Sequence, residues 1–83
     1  MQQSATMVRY YFDIKDGDDL SVDDTGIECS GPEEARFQAI DALPEIARDE
    51  LPDGDNRFFE VNVRDDQGRA VFRCRLTLET EWL

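Results

Sequence analysis

The hydrophobic spacing of this chain changes period twice, and that restricts the folds open to it. Val8, Tyr10, Phe12 and Ile14 occupy every second position, with Arg9, Tyr11, Asp13 and Lys15 between them. The segment therefore reads as a strand with one side buried. Asp16-Gly17 ends it with a turn. Leu20 to Val22 reads as a short return strand, and Asp23-Asp24-Thr25-Gly26 has the acid at its start and the glycine at its end that a four-residue turn favours. Ile27 and Cys29 continue the apolar alternation.

From Ala35 the period becomes helical. Ala35, Ala39, Ile40, Ala42, Leu43, Ile46, Ala47 and Leu51 fall within about half a circumference at about 100° per residue, so a helix here has one core-facing side. Ser30-Gly31-Pro32-Glu33 ahead of it fits a capping box, with the helix starting near residue 31 and Glu33 reaching back to a free amide. Pro44 predicts a kink or break near Ile40 to Leu43, because it removes the bond to the Ile40 carbonyl. Pro52 and Asp53-Gly54 are the stop signals.

Alternation then returns. Phe59, Val61 and Val63 alternate with Phe58, Glu60, Asn62 and Arg64. Beyond the Asp65-Asp66-Gln67-Gly68 turn, Ala70, Phe72, Cys74, Leu76 and Leu78 alternate with Val71, Arg73, Arg75 and Thr77. The pattern persists to Thr80 and Trp82, so the last strand is long or its end folds over the core. Trp82 reads either as a core lid or as an interface anchor. The expected architecture is α+β, β-β-α-β-β, with an antiparallel sheet in the strand order 2-1-3-4 and one helix packed on one face. Residues 1–6 read as a disordered leader and 7–83 as a single domain.

The chemistry is one-sided. Twenty Asp and Glu stand against nine Lys and Arg, giving a formal charge of -11, and there is no histidine. That removes the commonest general base and metal ligand. No nucleophile elbow, P-loop or dinucleotide fingerprint is present either. The reading is therefore of a protein that is not an enzyme, with no catalytic residues and no cofactor. Cys29 and Cys74 form neither a C-x-x-C motif nor half of a zinc site, and read as reduced thiols. Cys74 falls on the core side, and Cys29, near the helix start, has the position of a thiol with a lowered pKa. Asp16, Asp18, Asp19, Asp23 and Asp24 crowd two loops where a divalent cation would fit. No stretch meets the twelve-residue calcium loop, however, and the nearest, Asp49 to Glu60, has Leu51 at a ligand position and Pro52 inside it. Solvated turn acids and no metal are expected. No apolar run approaches the roughly 18 residues of a membrane span, and the first residues lack a secretory pattern, so a cytoplasmic protein without a membrane partner is expected.

Placed on the expected elements, the charges separate. The helix holds Glu33, Glu34, Asp41, Glu45, Asp49 and Glu50 against Arg36 and Arg48, whereas the open sheet face holds Arg9, Lys15, Arg64, Arg73 and Arg75 against Asp13 and Glu60. Tyr11, Phe58, Arg64, Arg73 and Arg75, with Trp82, form the candidate interaction surface. Basic side chains among rings suit a single-stranded nucleic acid or an anionic ligand. The competing reading ties those arginines to Asp13 and Glu60 across strands, with the rings covering their stems. A third pairs the basic sheet of one copy with an acidic surface of another. The charge of -11 disfavours nucleic acid.

The leading expectation is a non-catalytic protein-interaction module of a regulatory or stress-linked kind, acting through its acidic helix or a strand edge. Its partner is an unidentified protein or a second copy of itself as a homodimer. The alternative is anionic-ligand or single-stranded nucleic acid binding through the sheet face.

Arg9-Tyr10-Tyr11-Phe12, the Asp16-Gly17-Asp18 turn, Asp24-Thr25-Gly26-Ile27-Glu28, Glu34-Ala35-Arg36 and Asp65-Asp66-Gln67-Gly68 together resemble a domain-of-unknown-function family. Its members are short acidic bacterial proteins, frequent in soil and plant-associated alphaproteobacteria, with an RYYF…DG…D…G.E pattern. The resemblance runs from Val8 to Leu78. It implies a compact cytosolic domain with no assigned activity and no catalytic residues to carry over.

Overall fold

The computed structural model describes residues 7–50 and 56–83. The expected leader, Leu51 and the Pro52 and Asp53-Gly54 stop signals lie outside the described residues. Five strands and a helix follow one another as β1 (Val8–Asp16), β2 (Asp19–Ser21), β3 (Ile27–Cys29), α1 (Pro32–Glu50), β4 (Asn56–Arg64) and β5 (Ala70–Glu79). All pairings are antiparallel within one sheet ordered β2-β1-β4-β5, and β3 pairs with β1 on the same edge as β2. The α+β class holds, with one strand more than expected.

The extra strand has a local cause. Gly17, at a φ of 61°, makes a two-residue turn that sets Asp16 opposite Asp19, and β2 then covers only Ile14 to Asp16 of the nine-residue β1. The start of β1 is left open, and Ile27 to Cys29 closes it by pairing with Val8 to Tyr10. One edge of β1 thus carries two three-residue strands with a loop between them.

The helix starts one residue later than a Ser30 cap implies. The Ala35 amide donates to the Gly31 carbonyl at 3.2 Å, so Gly31 is the cap residue and Pro32 takes the first helical position, where its missing N–H costs nothing. The reciprocal acid is accordingly Glu34, not Glu33: its Oε1 accepts from the Ser30 amide at 2.6 Å. That bond, together with the Ser30 side chain, holds the Glu34 carboxyl below its ordinary range. Pro44 does not break the helix, which runs unbroken from Pro32 to Glu50. Both Pro44 and Ile40 are exposed, so the carbonyl that loses its partner lies on the watered side of the helix, where hydration replaces the bond.

Ala35, Ala39, Leu43 and Ala47 form the buried stripe of α1, one turn apart. Three of these four are alanine, so the helix approaches the sheet closely, chiefly over β4 and β5. Phe59, Val61 and Val63 of β4 meet it and are at most 1% exposed, with Tyr10 and Cys29 completing the core. Burying side chains of this size contributes about 1.5–3 kcal/mol each. Phe12, Ile14, Phe72 and Cys74 pack at the margin. The β4–β5 ladder shifts register between Val63 and Arg64, so Ala70 sits opposite Arg64 while Phe72 sits opposite Val63. Ala70 therefore leaves the apolar file and is exposed.

Candidate functional site

The register fixes which side chains share the face turned away from α1. Tyr11 lies opposite Arg64, Asp13 opposite Asn62 and Lys15 opposite Glu60, while Glu60 lies opposite Arg75, Asn62 opposite Arg73 and Phe58 opposite Thr77. Five of the six candidate surface residues, Tyr11, Phe58, Arg64, Arg73 and Arg75, thus fall on one face.

Those cations have partners. Arg64 makes two bonds to Asp13, Nε to Oδ2 at 2.7 Å and Nη2 to Oδ1 at 3.0 Å, and its Nη2 also reaches the Asp23 carbonyl at 2.8 Å. Its guanidinium lies 4.8 Å from the centre of the Tyr11 ring. Arg75 binds Glu60 Oε2 through Nε at 3.1 Å and Nη2 at 2.7 Å, and lies 4.7 Å from the centre of the Phe58 ring. Arg73 donates from Nε to Asn62 Oδ1 at 2.7 Å. Glu60 is 4% exposed. The Arg75 hydrogen bonds lower its pKa against the opposing effect of burial, with Asn62 adding to the lowering. The Arg64 hydrogen bonds likewise lower Asp13 and are the chief cause of a raised Arg64.

The same chemistry shapes the loop between β2 and β3. Asp23 accepts from three backbone amides, Phe12 at 3.0 Å through Oδ2 and Thr25 at 3.0 Å and Gly26 at 3.1 Å through Oδ1. Burial raises its pKa, and the three amides outweigh that and leave it lowered. Its own amide donates to Asp13 Oδ1 at 2.9 Å. From the other side Arg9 donates to the Thr25 carbonyl at 2.8 Å and pairs with Glu28 at 3.1 Å. Asp23 thereby satisfies the Phe12 amide at the point where neither β2 nor β3 covers β1. Sequence reasoning placed Asp23 among solvated turn acids and missed this clamp. The available signal was its place at the head of a turn, where an aspartate bonds the amides that follow.

The remaining candidates sit elsewhere. Trp82 is 98% exposed, beyond the end of β5, so it is not a core lid, and strand pairing stops at Glu79. Cys29 is fully buried, and burial with the nearby Glu34 raises its pKa, which reverses the expected lowering. Burial raises Cys74 as well, and both thiols are free. Asp16 pairs with Arg57. Among the described residues no three His, Cys, Asp or Glu side chains are grouped to hold a metal ion. Among them, too, no helix is long and apolar enough to cross a membrane. Between α1 and the β1–β3 side runs an open groove of about 490 Å³, lined by Phe12, Ile14, Val22, Ile27, Ala42 and Val61 with Asp41 and Glu45 on its helix bank.

The two ends of the sheet differ. The β2/β3 end is split and clamped, whereas β5 is ten residues long and, among the described residues, has no strand on its outer side. Fold and surface together define a small α+β domain with a tied-down polar sheet face and one open strand edge. The chain belongs to the family described as Domain of unknown function (DUF6894), whose model matches residues 9–77. Neither the curated proteins nor the solved structures give a match.

Proposed function

We propose that this protein is a non-catalytic interaction module that binds a partner by strand addition to β5. The observation that carries the reading is the asymmetry of the sheet. Natural sheets blunt their edges with short strands and irregular loops, as the β2/β3 end does. The β5 edge has neither: past the register shift beside Val71 it runs regularly from Phe72 to Glu79, and among the described residues no strand covers its outer backbone donors and acceptors. Leu76, 41% exposed, and Val71, 44% exposed, supply the apolar surface that accompanies such a contact. The regulatory or stress-linked role, the cytoplasmic setting and the alphaproteobacterial origin implied by the resemblance go with this reading as parts of the proposal.

Binding of an anionic ligand or single-stranded nucleic acid would require Arg64 and Arg75 to give up carboxylate partners and stacked rings, which weighs against that alternative. The test is amide chemical-shift mapping with a panel of extended peptides. Shifts along Ala70 to Glu79 are expected. Shifts confined to the Tyr11 and Phe58 face, or none at millimolar peptide, overturn the proposal.

A further inference from the structure

We infer that one occupant of the β5 edge is a second copy of this chain, paired antiparallel to the first about a twofold axis through Leu76. This rests on the strand-addition reading and deepens it by fixing the partner and the register. Residues directly opposite in an antiparallel pair share a face, so a symmetric β5–β5 pairing must centre on a residue and match like parity. Centring on Cys74 sets Arg73 against Arg75 of the second copy, twice. Centring on Arg75 or on Arg73 sets that arginine against itself.

Centring on Leu76 is the longest overlap that avoids both conflicts. It places Arg73 opposite Glu79 of the second copy, again twice, with Leu76 against Leu76 and Cys74 against Leu78. All these residues lie within β5. Arg73 has a two-thirds exposed side chain, tied through Nε to Asn62 and only 3.9 Å from Glu60, so its other guanidinium donors are open to a carboxylate. Glu79 is exposed and forms no ion pair among the described residues.

The same register explains two exposed apolar features. Residues 80–83, continuing past Glu79, would run beside Ala70 to Phe72 of the second copy, bringing the fully exposed Trp82 against the start of the partner strand, where Val71 is also exposed. On α1, the groove is lined by Gln38, Asp41, Ala42 and Glu45 on the β1–β3 flank. At 100° per residue Ile40 therefore falls on the opposite flank, toward β5, and it is 40% exposed. A twofold axis normal to the sheet brings both copies of α1 to the same side of the seam, so Ile40 and Leu76 add apolar surface on that side.

The experiment is a dilution series of the full chain, followed by light scattering and by the emission of Trp82, its only tryptophan. A mass that halves on dilution together with a red shift of the emission is expected. Arg73→Glu sets two Glu–Glu contacts in the seam and Glu79→Arg sets two Arg–Arg contacts, so each variant alone should dimerise about tenfold or more weakly. Mixed one to one, the two variants should form a heterodimer as tight as the wild type, because both contacts are then of opposite sign. Glu79→Arg disturbs no ion pair among the described residues, and circular dichroism checks both variants.

The inference is overturned by a wild-type chain that stays monomeric at millimolar concentration, by a mixture that fails to assemble, or by a dimer in which Trp82 emission does not move. A monomer whose β5 amides still shift with extended peptides removes the self-pairing and leaves the strand-addition reading standing.

Discussion

Replacing Asp23 by alanine removes one carboxylate and strands three amides. Phe12 and Gly26 are partly buried donors, while the Thr25 amide is exposed and turns to water. A buried donor left without an acceptor costs about 1–3 kcal/mol. Two such donors with partial water access give a loss of about 2–4 kcal/mol, set against a total of about 4–12 kcal/mol for a domain of this length. At about 4–8 °C per kcal/mol the melting temperature should fall by roughly 10 to 30 °C.

Urea denaturation with an unchanged m-value reads the free energy, and amide exchange reads its location: Phe12 and Gly26 should lose protection before the β4–β5 ladder does. Asp24→Ala, a neighbour whose carboxylate meets, among the described residues, only the exposed Thr25 hydroxyl, should stay within about 0.5 kcal/mol of wild type. A loss below about 0.5 kcal/mol in Asp23→Ala, or a Phe12 amide that remains protected, would refute the view that Asp23 holds the split edge together.

Other substitutions test the remaining contacts. Gly26→Ala would place a Cβ 2.8 Å from Arg9 Cγ and 2.9 Å from the Tyr10 carbonyl oxygen at a φ of 77°, and should cost about 2–4 kcal/mol by urea denaturation. Gly68→Ala, with nothing near its Cβ, should cost only the backbone term of about 1–2 kcal/mol. Asp13, Asp23 and Glu60 all titrate below their ordinary range, so each adds stability that is complete above the unfolded carboxylate values near 4 and is lost as pH falls through the folded ones. Melting temperature should therefore drop steeply below about pH 4. Glu60→Gln should lower stability by about 1–2 kcal/mol at neutral pH, Arg75 being half exposed, and should flatten that acid limb. Pro44→Ala restores a helical donor on an exposed turn and should raise stability by about 1–3 kcal/mol in a thermal melt.

Period alone made the long elements legible, because Val8 to Ile14 and Phe59 to Val63 can bury one face only as strands. What period hides is which residue pairs with which. The β4–β5 hairpin carries a constraint that is readable in hindsight. Val61 and Val63 have odd numbers and Phe72 and Cys74 even ones, while the turn sets Arg64 opposite Ala70, both even, so the two apolar files face the same side only if one residue is absorbed between them. The bulge at Val71 absorbs it, and the same shift sets Arg75 opposite Glu60 and Arg73 opposite Asn62. The cross-strand ties of Arg64 to Asp13 and of Arg75 to Glu60, one of the readings the sequence offers for this face, thus follow from the register.

The split of β1's edge was less accessible. Nothing in the spacing of Asp23 and Phe12 reveals a bond across 11 residues, and the reciprocal acid of the cap is Glu34 instead of Glu33 because Pro32 takes the first helical position.

These features bear on one another. Of twenty acidic residues, Asp13, Asp23, Glu28 and Glu60 are spent on the arginines and amides that bind the polar face and close the β2/β3 edge. Acids so engaged cannot serve as a cation site, and arginines so engaged make poor phosphate receptors. At the other end, Arg73 and Glu79 stand on a strand whose outer side no other strand covers among the described residues, with only part of their hydrogen-bonding capacity used. If charge on this chain had been selected only for solubility, the two ends should be equally guarded. The contrast instead favours the proposed strand addition at β5, where a strand of complementary charge can be added without giving up the carboxylate and amide contacts that bind the polar face.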